Sequence, residues 1–292
     1  MYTREIKGED FTYKDALDFS SVFCVAFRND VGCYVNSPLQ YIFKGDILGR
    51  ILCVPDASDR LREFVSKAVA LKRTIEQYAW SFYRSHGEPG TRIFIRYEDD
   101  EDEHPGLPVA ISSWHCPYVH IPPLTLSQKV WGFIRKWRAL FHQYAYKLTH
   151  GFHNPAMNSK ARSIFSNSHN VSGLGSTPEN NSKLENMSPK ERISCLYTRK
   201  YCEELLVFAC AKPGRGIGSR FFDETLGKIE PSLRPVRIGE ESDLSPPKIV
   251  ILASDKGRVL YSKFGFQFYN QYKWPVEGDP HGFSHSYLYK NY

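Results

Sequence analysis

One stretch limits the folds open to this chain more than any other. Residues Leu205–Gly227 read LLVFACAKPGRGIGSRFFDETLG. An apolar run with strand character, Leu205–Cys210, passes through a Pro/Gly loop into an amphipathic run with helix character. Gly214, Gly216 and Gly218 stand at the junction. Glycines where a strand turns into a helix let the backbone come close to a ligand, because no Cβ intervenes. The first N–H groups of such a helix lack internal acceptors and lie at the positive end of its dipole. That arrangement cradles phosphate, so a phosphorylated cofactor is expected here.

Two familiar phosphate loops do not fit. A Walker loop ends in Gly-Lys-Ser/Thr, whereas Gly218 is followed by Ser219 and Arg220. A dinucleotide fingerprint reads G-x-G-x-x-G, with an acidic residue about 20 positions on. This loop reads G-x-G-x-G, and the next strand candidate, Lys248–Ala253, lies farther off and ends in Ala253-Ser254. After that strand come a short helix, the run Tyr261-Ser262-Lys263-Phe264-Gly265-Phe266, and another alternating strand up to Trp274. In this order, the R-G-x-G turn and the Tyr-x-Lys-x-Gly-Phe run resemble the coenzyme A pyrophosphate loop and helix-closing signature of the GNAT acetyltransferase superfamily. Tyr261–Phe266 also fits a helix end with a glycine cap, and that reading stays open.

Composition narrows the function further. The 292 residues are 41% hydrophobic and 14% aromatic, enough for a substantial core. There are 38 Lys and Arg against 32 Asp and Glu, a net charge of +6 with no contiguous Lys/Arg run. That suits an anionic cofactor and excludes a nucleic-acid-binding signature. The N-terminus lacks an apolar signal-peptide core, and no stretch reaches the ~20 apolar residues of a membrane span. The seven cysteines are scattered without a C-x-x-C pair, which reads as reduced thiols in a cytoplasmic protein.

Along the chain, Tyr2–Lys7 reads as a first strand. A helix follows, capped by Asp10 or Thr12 and running to about Arg28 with Ala16, Phe19, Phe23 and Phe27 on one face. A longer helix spans Asp56–Arg84 and ends at Glu88-Pro89-Gly90. Strands Thr91–Tyr97 and Leu107–Trp114 flank the acidic stretch Glu98–His104, read as a solvated hairpin loop and not a metal site. His150 and His153 read as surface histidines with no third ligand nearby; no metal site is expected.

Leu126–His150 repeats apolar residues at helical spacing, with Lys129, Arg135, Lys136, Arg138 and Lys147 on its other faces. Such a helix can lie on a membrane surface. Packing of its apolar stripe on the domain is the favoured expectation. Residues 154–189 are rich in Ser, Asn, Gly and Pro and read as a flexible loop. The last strand candidate is Ser284–Tyr292.

The resemblance covers nearly the whole chain. It implies a single α/β (α+β) domain over residues 1–292, with a mixed, mostly antiparallel central sheet flanked by helices. An insertion at about 117–195 separates the third and fourth strands. The layout is similar to the puromycin acetyltransferase type within the superfamily, which also places helical material before its glycine-rich turn; puromycin itself is not implied as substrate. The cofactor implied is acetyl-CoA. Its pantetheine arm would run along Leu206, Val207, Phe208 and Ala209. Its pyrophosphate would sit on the amides of Gly214, Arg215, Gly216, Ile217, Gly218 and Ser219. Pro213 departs from the family, which commonly has Gln or Arg there, and a proline removes one N–H donor. Asp255 stands where the family often has Asn, near the pantetheine.

The reaction implied is N-acetylation of a small-molecule or peptide amine by direct attack on the thioester. A base must remove the amine proton. Glu203 and Glu204 open the fourth strand, and alternation lets only one face the site. Glu204 is preferred as the base, and Tyr261 takes the place of the family tyrosine that protonates the thiolate. A GNAT-fold protein that binds coenzyme A without catalysis remains the alternative. The acceptor's identity and the oligomeric state are open at this point.

Overall fold

A computed structural model describes residues 1–26, 61–98, 106–150, 201–212, 214–234, 248–276 and 279–291. The elements are β1 (Tyr2–Lys7), α1 (Tyr13–Ala26), α2 (Leu61–His86), β2 (Thr91–Tyr97), β3 (Pro108–His115), α3 (Leu126–His150), β4 (Glu203–Cys210), α4 (Ile217–Ile229), β5 (Ile249–Ala253), α5 (Asp255–Ser262), β6 (Gln267–Val276) and β7 (Asp279–Lys290). The strands form one seven-stranded sheet in the order β1-β2-β3-β4-β5-β7-β6. Every pairing is antiparallel except β4 with β5. The mixed, mostly antiparallel sheet with flanking helices is the expected fold class. The loop expected at 154–189, Phe27, Pro213 and His153 lie outside the described residues.

Alternation along the central strands divides the core between two faces. On one face Ile93, Ile95 and Ile111 meet α1 and α2. There Phe19 and Phe23 of α1 pack on Phe82 of α2, with ring centroids 4.9 and 5.0 Å apart. On the other face Phe94, Trp114 and Leu205 meet Phe221, Phe222 and Leu226 of α4 and Tyr261 of α5. The sheet is therefore sandwiched between two helical layers.

Thr12, not Asp10, starts α1. The Asp15 N–H donates to Thr12 Oγ1 at 3.2 Å, and the Thr12 N–H donates to Asp15 Oδ2 at 2.9 Å. This reciprocal box satisfies donors that the helix start would otherwise leave open. Asp15 is buried and is held by Arg4 of β1 at 2.7 Å, so the cap also ties the helix to the sheet. Asp10 belongs to the preceding single turn, Gly8–Asp10.

β3 and β4 are hydrogen-bonded neighbours from Ala110↔Cys210 to His115↔Glu204. The chain between them is thus inserted between adjacent strands. The register shifts between Ser113↔Val207 and Trp114↔Leu205. Leu206 is the extra residue of a β-bulge, which bends a strand and sharpens its local twist.

Helix α3 departs from expectation. Its apolar stripe does not cover the core: Val130, Phe133, Ile134, Trp137, Phe141, Tyr144 and Leu148 are exposed, and Leu140 is half-buried. The opposite side holds it to the domain. Arg135 donates to the carbonyl oxygens of Gly8 at 2.7 Å and Glu9 at 2.6 Å, and its guanidinium lies over the Tyr83 ring. His142 stacks on Trp80 at 4.1 Å, and Ala139 is buried. Periodicity marks an apolar stripe but does not say which way it points; the Arg135 contacts decide that here.

Phe222 lies at the centre of the second core, within 6 Å of the rings of Trp114, Phe208, Tyr261, Phe264 and Phe266. Phe222→Ala should destabilise the fold by about 3–5 kcal/mol, the usual cost of truncating a buried aromatic. Urea unfolding of the two proteins measures the difference, and a cost under about 1 kcal/mol would mean that the cluster is not the core it appears from burial.

Candidate functional site

The ladder between β4 and β5 is short. It comprises Glu203↔Ile249, Glu204↔Val250 and Leu205↔Ile251. Beyond Leu205, where the bulge falls, β4 continues to Cys210 against β3 alone, and β5 ends at Ala253. The two strands thus part in the middle of the sheet. Leu206, Val207 and Phe208 are half-buried on this stretch, while Ala209 is buried against α1 and α2. Main-chain groups facing an opening between strands need partners from water or a ligand. An extended molecule can lie there like a strand.

The glycine turn closes the far end of the opening. Gly214 has φ +82° and Gly216 φ +70°, left-handed values that favour glycine, and a Cβ on either would meet open space. Gly216 is the N-cap of α4 and supplies no side chain to the cap. The first bond of the helix runs from the Arg220 N–H to the Gly216 carbonyl at 3.1 Å. The N–H groups of Ile217, Gly218 and Ser219 therefore lack acceptors within the helix. Gly218 lies over β4, where a Cβ would meet Cys210 Cβ at 3.5 Å, ordinary van der Waals contact. Burial pushes the Cys210 thiol up, and the Lys212 and Gly218 backbone draws it partly back.

Arginine crowds the same mouth. Arg215 and Arg220 are both exposed, and Arg220 reaches the Arg215 carbonyl at 3.5 Å. Arg220 was not singled out from the sequence, although its place in the first turn of α4 was readable there. Lys212 is engaged instead by Glu98 at the end of β2, which fixes the strand side of the turn.

Tyr261 lies beside the opening, on the α4 face. Its ring is 6.2 Å from Phe208 and 4.9 Å from Phe222. Burial drives its phenol well above the ordinary tyrosine value. The surrounding signature ends a helix: the Phe266 N–H donates to the Tyr261 carbonyl at 3.3 Å, and the Gly265 N–H to the Ser262 carbonyl at 3.2 Å. With Gly265 at φ +82°, this is a Schellman cap. The glycine-cap reading thus accounts for the backbone of the run and leaves the phenol itself unassigned. Asp255 opens α5 immediately after Ser254, whose Oγ accepts from the Gly257 N–H at 3.3 Å. That places Asp255 at the end of β5, beside the parting strands.

The two glutamates face opposite ways. Glu203 shares the α4 face with Arg92 and is buried; burial pushes its carboxyl up to about 7, with Arg92 pulling it down. Glu204 points to the α1/α2 face and is also buried. Its partner across the ladder is His115, buried too, with its ring 4.7 Å from Tyr118. Three buried hydroxyls, those of Thr91, Ser113 and Ser286, have no hydrogen-bond partner among the described residues. Ser113 stands opposite Val207, and Ser286 opposite Ala253. Neither they nor His115 belong to a motif, so the sequence offered no signal for them. A cavity of about 150 Å³ beside Cys116 and His120, at the Glu203 end of the sheet, falls below the 300–1,000 Å³ usual for ligand pockets.

No protein-family model matches the chain. No curated protein matches it either. Among solved structures, one described as the crystal structure of an acetyltransferase aligns over 100% of this chain and 99% of its own, at TM-score 0.38 and 11% identity.

Glu203 yields a stability test with a definite sign. A carboxyl whose folded pKa lies above its unfolded value binds its proton more tightly in the folded state. Its stabilising contribution is present below about 4.5 and is lost as pH rises through about 7. Glu203→Gln carries no such proton. Its melting temperature relative to wild type should therefore climb between those pH values and level off above them. A difference that stays flat across the window would mean that the carboxyl is solvated.

Proposed function

We propose that this chain is an acetyl-CoA-dependent N-acetyltransferase of the GNAT superfamily, folded as one domain with an insertion between β3 and β4. The observation that carries the reading is the parting of β4 from β5 at Leu205, which leads straight to an uncapped helix start at Gly216. A pantetheine arm has amide groups suited to the open edge at Leu206, Val207, Phe208 and Ala209. A pyrophosphate suits the amides of residues 214–219, with Arg215 and Arg220 beside it. Asp255 would adjoin the arm from the end of β5.

In the reaction, the amine nitrogen attacks the thioester carbonyl. A C–N bond forms, the C–S bond breaks, and coenzyme A leaves as a thiolate. Glu204 takes the amine proton, directly or through water, with His115 across the ladder as its neighbour. Tyr261 gives its proton to the thiolate. Burial keeps this phenol neutral and ready to donate, and also makes it a weaker acid than a free phenol. The acceptor is a small-molecule or peptide amine. A second reading, coenzyme A binding without turnover, is favoured by one observation: the helix cap and aromatic cluster account for Tyr261 without any chemistry.

Calorimetric titration with coenzyme A, paired with thiol release from acetyl-CoA across an amine library, separates the readings. Gly216→Glu should weaken coenzyme A binding by about tenfold or more, through its left-handed backbone and the added negative charge. Undiminished binding would remove the turn from the site. Tyr261→Phe should lower kcat by about a hundredfold, in the range of general-acid effects, and leave cofactor affinity nearly unchanged. Binding without turnover of any amine would establish the non-catalytic reading.

A further inference from the structure

Helix α3 is amphipathic the wrong way round for a helix that covers a core. On its inward side Arg135 binds the carbonyls of Gly8 and Glu9, His142 stacks on the ring of Trp80, and Ala139 is buried. Its outward side is an apolar arc. Val130, Phe133, Trp137, Phe141, Tyr144 and Leu148 are each between 48% and 70% exposed. At a rise of about 1.5 Å per residue the arc runs along a helix of roughly 37 Å. An apolar strip of that length is seldom left to water on a soluble domain.

Charge identifies what fits it. Residues 126–150 contain five Lys and Arg and no Asp or Glu. Exposed Lys129 and Lys136 border the arc on one side and exposed Arg138 on the other. Long basic side chains flanking an apolar strip can bury their stems and keep their charge at the level of lipid headgroups, with tryptophan at the same depth. A protein partner would call for mixed polar contacts at the rim, and a border of one sign selects an anionic surface. No helix among the described residues is long and apolar enough to cross a membrane. Arg135 would also have to leave its carbonyls for α3 to sink further.

We propose that α3 is a membrane-surface anchor, which lays its apolar arc into the headgroup region of an anionic bilayer while its polar side stays fixed to the domain. This does not rest on the acyltransfer reading. The anchor is part of a folded, rigidly attached helix, so binding requires no ordering of the element.

The test uses the full chain and vesicles of phosphatidylcholine with about a third phosphatidylserine. Co-sedimentation is expected at about 0.02 M salt and should fall by about tenfold or more at about 0.5 M, where surface charge is screened. Trp137→Glu/Phe141→Glu should abolish it, with melting temperature and circular dichroism unchanged because both residues are exposed. Lys129→Glu/Lys136→Glu/Arg138→Glu should weaken it by about a hundredfold or more, at about 1 kcal/mol for each basic residue near the surface. Absence of co-sedimentation at low salt would overturn the proposal. So would a wild-type dimer that Trp137→Glu/Phe141→Glu converts to a monomer in light scattering, which would give the arc to a second copy. A large change in melting temperature for that variant without vesicles would give it to the chain's own fold, and would overturn the anchor as well.

Discussion

The parting of β4 from β5 is the constraint on which the rest of the arrangement depends. A parallel pair in the middle of a sheet normally keeps its ladder, because each lost bond leaves a donor and an acceptor to be satisfied elsewhere. Here the ladder stops at Leu205↔Ile251. The bulge at Leu206 falls at that same point and bends β4 away, while Trp114 of β3, opposite Leu205, packs on Phe222 of α4. Once the strands diverge, the turn at Gly214–Gly218 and the helix end at Tyr261–Gly265 flank the gap between them. Two features distant in sequence become walls of one opening.

Much of this was legible in the sequence because local chemistry enforced it. Gly214 and Gly216 take left-handed backbone values that other residues resist, so their spacing reported a real turn. Strand alternation at Ile93, Phe94 and Ile95 reported two faces, and both faces are covered. The run at Tyr261–Phe266 was legible but ambiguous, since a Schellman cap and a catalytic tyrosine ask for overlapping residues. The bulge was not legible. It arises from a mismatch between two strands separated by the insertion, and no single stretch encodes it. His115 and Ser113 were hidden for the same reason: their place near Glu204 and Val207 is a matter of register.

Helix α3 shows where periodicity stops informing. Its hydrophobic spacing is as regular as that of α2, whose Tyr78 and Phe82 are buried. The difference lies in the competing face. On α3 a single arginine finds main-chain carbonyls of Gly8 and Glu9 and an aromatic ring, a set of charge-assisted contacts that a sequence of basic residues does not single out. Hydrogen bonds to a charged donor are worth about 1.5–3 kcal/mol each, enough for a few of them to fix the helix by its polar side. The apolar side then remains outward, whatever its hydrophobicity.

The chemistry divides across the two faces of β4. Glu204 and His115 belong to the α1/α2 face, Glu203 and Tyr261 to the α4/α5 face. The sheet separates these groups everywhere except where β4 and β5 part. A molecule threaded through the gap would meet a carboxylate from one side and a phenol from the other. In the proposed reaction, the base must reach the incoming amine and the acid the departing thiolate, two different atoms on the carbonyl carbon. On the proposed reading, each would serve one of the two bonds. The gap beside the bulge is, on that reading, where Glu204 and Tyr261 would act together, while Glu203 lies on the Arg92 side of the strand.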